Sequence, residues 1–337
     1  MTLVLRTRTL FVLLAGLLLT IVAGFRGGND PDYVNYYDIY ISSLHSDFSS
    51  LNIEPFYFYL NKSLALINAP FIFLMLLIAI PAVLLKMYVI YKHSDFAFFS
   101  VLTYILTIFL SFDLIAVRQG LAIGFIMLAT SFWFNNRKLA IVLVLAGSLF
   151  HFSALVVLPI FYLMSSKWQR HILHFSFFAI LFIILSGIKV TVIDFIKLIP
   201  FIPCFIVFKL DIYASYNQEG VNSAKQLFVC IIAFFIYKSD IRNDFIKQTS
   251  FLYVLGFLLS LFFASIGDIA FRIKWYFFWG EIFFIPYLFF FLVRKLKNRK
   301  LIPLLFLFYF GFYLVMYLYP AIKFIIDISN RGNSLIL

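Results

Sequence analysis

Two polar groups interrupt long apolar runs of this 337-residue sequence. Arg118 and Gln119 stand inside one run, and His151 stands inside the next. A charged or imidazole side chain at hydrocarbon depth is costly unless it is paired or faces a wet cavity. These residues are therefore candidates for anion binding by a permanent cation and for proton exchange near neutral pH.

The composition defines the environment of these residues. The chain is 64% hydrophobic and only 12% charged, whereas a soluble domain has about 25% charged residues. We therefore predict an all-α, polytopic bundle of membrane helices that forms a single integral membrane domain over residues 1–337. The net charge of +12 does not indicate nucleic acid, because no basic run with interleaved aromatics lies on a soluble segment.

The distribution of charge predicts the topology. Arg6 and Arg8 precede the first apolar run, which places the N-terminus in the cytoplasm and sends the first helix outward. The acidic segment 26–55 is then a periplasmic loop, and 189–225 is a second one that carries interfacial helices. A further interfacial or half-inserted helix is expected at 56–68. The predicted spans are 9–25, 70–91, 96–112, 114–134, 172–188, 226–238, 249–266, 276–293 and 302–318.

Residues 139–164 allow two topologies. A single span there would export every later basic cluster, including the charges of 294–300. A re-entrant or broken pair of half-helices that turns near His151 keeps those clusters in the cytoplasm, so we favour it. With this pair the bundle has about 9–11 membrane helices.

Helical rise brings several basic residues to one level. Arg118 follows a predicted outer turn at Asp113 by about 7 Å, and His151 lies about 20 Å above the cytoplasmic end of its segment. Arg26 follows the outer end of the first helix, and Asp268 and Arg272 lie at the outer end of a later one. Arginines that share a depth are suited to the oxygens of an anionic phosphate. The sequence lacks a Walker loop, an Asp-rich metal box and a Rossmann glycine pattern, so a phosphate carried by a lipid is favoured over a nucleotide.

Structural roles explain the same residues in other ways. Arg118 could set helix depth by extending its charge to the interface, and His151 could be neutral and bonded to a helix carbonyl. Arg272 could be an interfacial charge, and Arg26 could flank a helix. The aromatic run Tyr33–Tyr40 is typical of an interfacial belt as much as of a platform for sugars.

Four motifs, in their order along the chain, resemble the EpsG-like branch of the Wzy polymerases, which polymerise O-antigen or exopolysaccharide repeat units. They are RGGNDPDYVNYY (26–37), RQGLA (118–122), NNRK followed by SLFHFSAL (135–138 and 148–155), and FRIKWYF (271–277). The last is a loose version of the family's pattern.

The resemblance implies a glycosyltransferase in the bacterial inner membrane with its active site facing the periplasm. Its substrates would be undecaprenyl-diphosphate-linked oligosaccharides, with membrane lipids and a polysaccharide chain-length regulator as further partners and without a metal or cofactor. The expected catalytic residues are His151, Arg118 and Arg272. The expected substrate-binding residues are Arg26, Asp30, Tyr33, Gln119 and Asp268.

Some roles and functions stay open. Either Asp30 or Asp268 could replace His151 as the base, and His151 would then be a second phosphate ligand. An O-antigen ligase uses the same donor and is the nearest alternative function. A flippase or other transporter for lipid-linked oligosaccharides would be expected to show inverted repeats and polar residues across the whole membrane thickness.

Overall fold

A computed structural model describes residues 2–27, 31–48, 53–187, 224–241, 243–296 and 299–334. Within these ranges every regular element is helical, which confirms the all-α prediction. The surface helices predicted in 189–225 fall outside the described residues, apart from the start of a helix at 224.

The helices alternate with short connections. In chain order the first are α1 (Thr2–Gly24), α2 (Pro31–His45), α3 (Pro55–Leu66), α4 (Phe71–His93), α5 (Ala97–Tyr104, continued by a π-helix at Ile105–Asp113), α6 (Val117–Phe132) and α7 (Arg137–Ser148). After a 3-10 helix at Phe152–Val156 come α8 (Val157–Met164), α9 (Gln169–Ser186), α10 (Ala224–Lys238), α11 (Asp244–Phe262), α12 (Gly267–Phe278) and α13 (Glu281–Lys295). A 3-10 turn at Arg299–Leu301 leads to α14 (Ile302–Tyr313, continued by a π-helix at Leu314–Leu318) and α15 (Tyr319–Ser334).

Several helices are long and apolar enough to cross a membrane. Among the described residues there are five, at Thr7–Gly24, Phe71–His93, Gln169–Ser186, Asp244–Phe262 and Arg299–Ile326. A sixth span is formed if α12 and α13, bent by 47°, are taken together. The other predicted spans correspond to shorter helices, including the apolar segments Ala97–Asp113 and Val117–Phe132. The chain is a multi-pass membrane protein, as its composition predicts.

The predicted break near His151 is present. α7 ends at Ser148, and the chain resumes as the 3-10 helix at Phe152–Val156 before the short helix α8. α7 itself begins at Arg137, within the turn predicted at 135–138, and the side chain of its N-cap residue Asn136 accepts a hydrogen bond from the Leu139 amide at 3.1 Å. His151 therefore stands at the interruption between two half-length segments.

The first of two compact units contains residues 1–155 and 285–337. Its central helix is α4, which packs against α1, α3, α5 and α6. Half of the most apolar stretch of α4 is buried. This helix is hydrophobic on every side, which is typical of a helix in a protein core or a membrane. α6, which carries Arg118, packs on α4 and also on α7. α7 leads to His151, so both residues are positioned by helices that pack around α4 and α6.

The segment 26–55, predicted as a loop, contains helix α2. Three tyrosines spaced four and three residues apart lie on one face of that helix, and this face packs on α4. The rings of Tyr33, Tyr37 and Tyr40 lie 5.3, 5.4 and 5.5 Å from the ring of Phe71. Aromatic packing on α4 explains why a polar segment forms a helix here.

The second compact unit contains residues 156–284, with α11 at its centre. α11 packs against α8, α9, α10 and α12, and 72% of its most apolar stretch is buried. Arg272 and Asp268 belong to α12, within this second unit.

Candidate functional site

Arg118 lies in the first turn of α6, and its guanidinium has a carboxylate partner. The Arg118 Nη1 atom donates a hydrogen bond to Glu54 Oε2 at 2.5 Å. The guanidinium also lies over the rings of Tyr57 and Tyr36, 5.2 and 5.8 Å from their centroids. A guanidinium stacked on aromatic rings is held in place and keeps its charge.

Glu54 connects Arg118 to the break that follows α7. Its second oxygen, Oε1, lies 3.5 Å from His151 Nδ1 and accepts a hydrogen bond from the Phe152 amide at 3.3 Å. His151 Nδ1 is also 3.3 Å from Ser153 Oγ. Arg118 and His151, which helical rise predicts to share a depth, are therefore contacted by the two oxygens of one carboxylate.

These groups are partly exposed. The side chains of Arg118, His151 and Glu54 are 25%, 16% and 14% exposed. This partial burial strengthens electrostatic interactions relative to bulk water without closing the site.

Arg26 shares one of these tyrosines with Arg118. Its guanidinium is 5.7 Å from the centroid of Tyr33 and 6.0 Å from that of Tyr36, the ring that also lies beneath Arg118. Burial raises the pKa of Tyr36, although the charge of Arg118 opposes this shift, and burial likewise raises the pKa of Tyr57. Both phenols are therefore neutral at physiological pH, and the positive charge near them comes from the arginines.

The other predicted site residues lie in different positions. Gln119 follows Arg118 but is only 3% exposed, within the bundle. Asp30 lies outside the described residues, as does the side chain of Asp268. Arg272 and Asp268 belong to the second compact unit, and their participation stays a prediction.

Sequence reasoning missed the role of Glu54, which it counted only among the acids of an outer loop. One signal was available: Pro55 is typical of the first position of a helix, which places the Glu54 carboxylate at a helix start. The Glu54 side chain forms no capping hydrogen bond in α3. Its carboxylate instead binds two segments that lie far along the chain.

A second polar cluster, also missed, lies wholly inside the first unit. Lys86 Nζ donates to Asp113 Oδ1 and to the Gly120 carbonyl, both at 2.7 Å, and to the Ala82 carbonyl at 2.9 Å. The hydroxyl of Tyr104 donates to Asp113 Oδ2 at 2.6 Å. Both charged side chains have no exposed surface.

The prediction that Asp113 lies at an outer turn is wrong for its side chain, which is buried in this ion pair. The predicted turn is present between α5 and α6, but Asp113 is 1% exposed and does not face an outer surface. The attraction of Lys86, near the middle of the long helix α4, holds Asp113 inside the bundle. The pair also fixes the start of α6, which carries Arg118.

Gly120 permits this arrangement. An added Cβ would lie 2.5 Å from the Phe112 carbonyl oxygen and 2.8 Å from Asp113 Oδ1. We expect Gly120→Ala to lower the free energy of unfolding by about 1–3 kcal/mol, because backbone must shift to admit the methyl group. Unfolding by SDS titration in detergent micelles measures this change. Gly311→Ala, whose added Cβ has no atom within 4 Å, is the matched control, and an equal loss in both variants would contradict the steric explanation.

Within the described part of the chain, no group of three His, Cys, Asp or Glu side chains is arranged to hold a metal ion. The described cluster offers the guanidinium groups of Arg26 and Arg118 and the imidazole of His151.

The helices and the cluster together define a polytopic membrane protein with a partly buried cationic site in its first unit. The chain belongs to the EpsG family, whose model matches residues 9–328. This membership indicates a membrane protein of the polysaccharide-polymerase type. No curated protein and no solved structure matches the chain.

Proposed function

We propose that the protein is an inner-membrane glycosyltransferase that polymerises undecaprenyl-diphosphate-linked oligosaccharide units at the periplasmic face. The observation that carries the proposal is the meeting of Arg118 and His151 on the carboxylate of Glu54. Membership of the EpsG family supports the polymerase class.

Arg118 is proposed to bind the diphosphate of the donor. In the reaction the bond between the anomeric carbon and the diphosphate oxygen breaks, and negative charge develops on the departing lipid diphosphate. A guanidinium already held by Tyr36 and Tyr57 needs little reorganisation to stabilise that charge. Arg26, which shares Tyr36, is proposed to add to the positive field.

His151 is proposed to take the proton of the acceptor. The acceptor hydroxyl oxygen forms the new bond to the anomeric carbon, and its proton passes to the imidazole. Nδ1 faces Glu54 and Ser153, so Nε2 is the atom proposed to accept it. Asp30 remains an alternative base, and Tyr33 is proposed to contact the sugars. Gln119 is buried, so no sugar contact is proposed for it.

Deletion of the gene tests this function. We expect a deletion strain to carry single repeat units on the final acceptor and no polymer, because export and ligation still proceed. Gel electrophoresis of the surface polysaccharide, together with lipid-linked sugars extracted from the membrane, measures both products. Complementation with the intact gene should restore the ladder of lengths.

The same experiment separates the other functions. Polymer that accumulates on undecaprenyl diphosphate would instead identify a ligase. Single units retained on the cytoplasmic face would identify a flippase.

A further inference from the structure

The carboxylate of Glu54 occupies a position with the properties of an anion site. One oxygen accepts a hydrogen bond from Arg118 Nη1, and the other accepts one from the Phe152 amide and contacts His151. A guanidinium, a backbone amide and an imidazole are the same donors that proteins offer to phosphate. The donors that hold the carboxylate can therefore hold a phosphate group in its place.

The position of Glu54 is not explained by its own helix. Glu54 stands at the N-cap of α3, yet its side chain forms no cap there. It reaches instead to α6 and to the break after α7, which come 64 and 98 residues later along the chain. The Glu54 carboxylate is therefore held by groups of α6 and of the break after α7, and not by its own helix.

We infer that Glu54 is a resident counter-ion of the Arg118 site, and that the phosphate of a lipid-linked substrate displaces it. The inference rests on the proposed function, because it assigns the occupied site to the phosphate of the donor. A carboxylate and a phosphate repel each other and both bind a guanidinium, so they compete for Arg118. The resident carboxylate keeps Arg118 neutralised between turnovers and selects against weakly bound anions.

The displacement has a measurable consequence for affinity. A charged hydrogen bond must be broken before a phosphate can bind, so the apparent affinity of the native protein is reduced. Glu54→Gln keeps the size of the side chain and removes the competing charge. We expect this variant, purified in nanodiscs, to bind pyrophosphate about tenfold more tightly than the native protein.

The controls separate competition from a general change of charge. Asp38→Asn removes one negative charge from an exposed position of α2 in the same unit, and it should leave the affinity unchanged. Glu54→Asp keeps the charge but shortens the side chain by one methylene, and an intermediate affinity is expected. It also provides a second test if Glu54→Gln folds poorly. Arg118→Gln should bind pyrophosphate at least about tenfold more weakly than the native protein.

Isothermal titration with pyrophosphate measures these affinities in the first arm of the experiment. In the second arm, the affinity of each variant for a polyprenyl diphosphate is measured in nanodiscs that contain this lipid. Tighter binding of Glu54→Gln in both arms supports displacement by any phosphate, and tighter binding in the lipid arm alone supports displacement by a lipid-linked phosphate. If Arg118→Gln weakens binding but Glu54→Gln and Glu54→Asp do not strengthen it, the resident counter-ion is rejected while the phosphate site of the proposed function stands. Binding that does not depend on Arg118 would reject both.

Discussion

Replacement of Arg118 by glutamine is expected to lower polymer formation about 100-fold or more. Loss of a preorganised charge that stabilises the developing charge of a transition state costs roughly this factor. Arg118→Lys should also be strongly impaired, because an ammonium cannot reproduce the planar fork that lies over the rings of Tyr36 and Tyr57 while it binds Glu54. The measurement is the amount and length of polymer in a deletion strain that carries each variant.

Arg137→Gln is the matched control for this prediction. Arg137 is an exposed arginine at the first position of α7, and its replacement should leave the polymer unchanged. The amount of each variant in the membrane, measured with an antibody, corrects for differences in insertion. A polymer ladder of native length from a normally inserted Arg118→Gln variant would remove Arg118 from the reaction.

Replacement of Lys86 by methionine is expected to lower the free energy of unfolding by about 3–5 kcal/mol. The change leaves Asp113 buried without its cation, although Tyr104 still donates to it. Unfolding by SDS titration, followed by tryptophan fluorescence, measures the loss, because Trp133 and Trp279 are fully buried and report on unfolding.

A second substitution distinguishes an unpaired charge from lost packing. In Lys86→Met/Asp113→Asn no charge remains, and the amide can still accept the hydrogen bond from Tyr104, so we expect at least half of the lost stability to return. Lys238→Met, at an exposed end of α10, should change stability by less than about 0.5 kcal/mol. A double variant no more stable than Lys86→Met would show that the ion pair is not the cause.

Those properties that depend on short stretches of sequence were predictable. The apolar runs that become α1, α4, α9, α11 and α14 depend on hydropathy over a window of roughly one membrane thickness. The break at His151 followed from the charges of all the later loops, which can be summed along the chain without knowledge of the packing. Arg118 and His151 were recognisable because a polar group in an apolar run stands out without knowledge of its neighbours.

The partners of those polar groups were decided by the tertiary structure. Glu54 meets Arg118 and Phe152 across 64 and 98 residues, and Lys86 meets Asp113 across 27. A contact at such separations depends on which helix faces pack together, and hydropathy does not specify the rotation of a helix that is apolar on every side. Segment 26–55 was expected to be a loop because it is polar. It contains α2 because the tyrosines of this helix pack on Phe71, and the sequence alone does not show that contact.

The sequence by itself determined that this chain is a helical membrane protein with cationic groups inside apolar runs, because hydropathy and charge are read along the chain. Only the tertiary structure decided that Arg118, His151 and Glu54 form one site and that Lys86 neutralises Asp113. Buried charges need partners in space, and those partners are chosen by the packing of α3, α4 and α6 rather than by their order in the sequence.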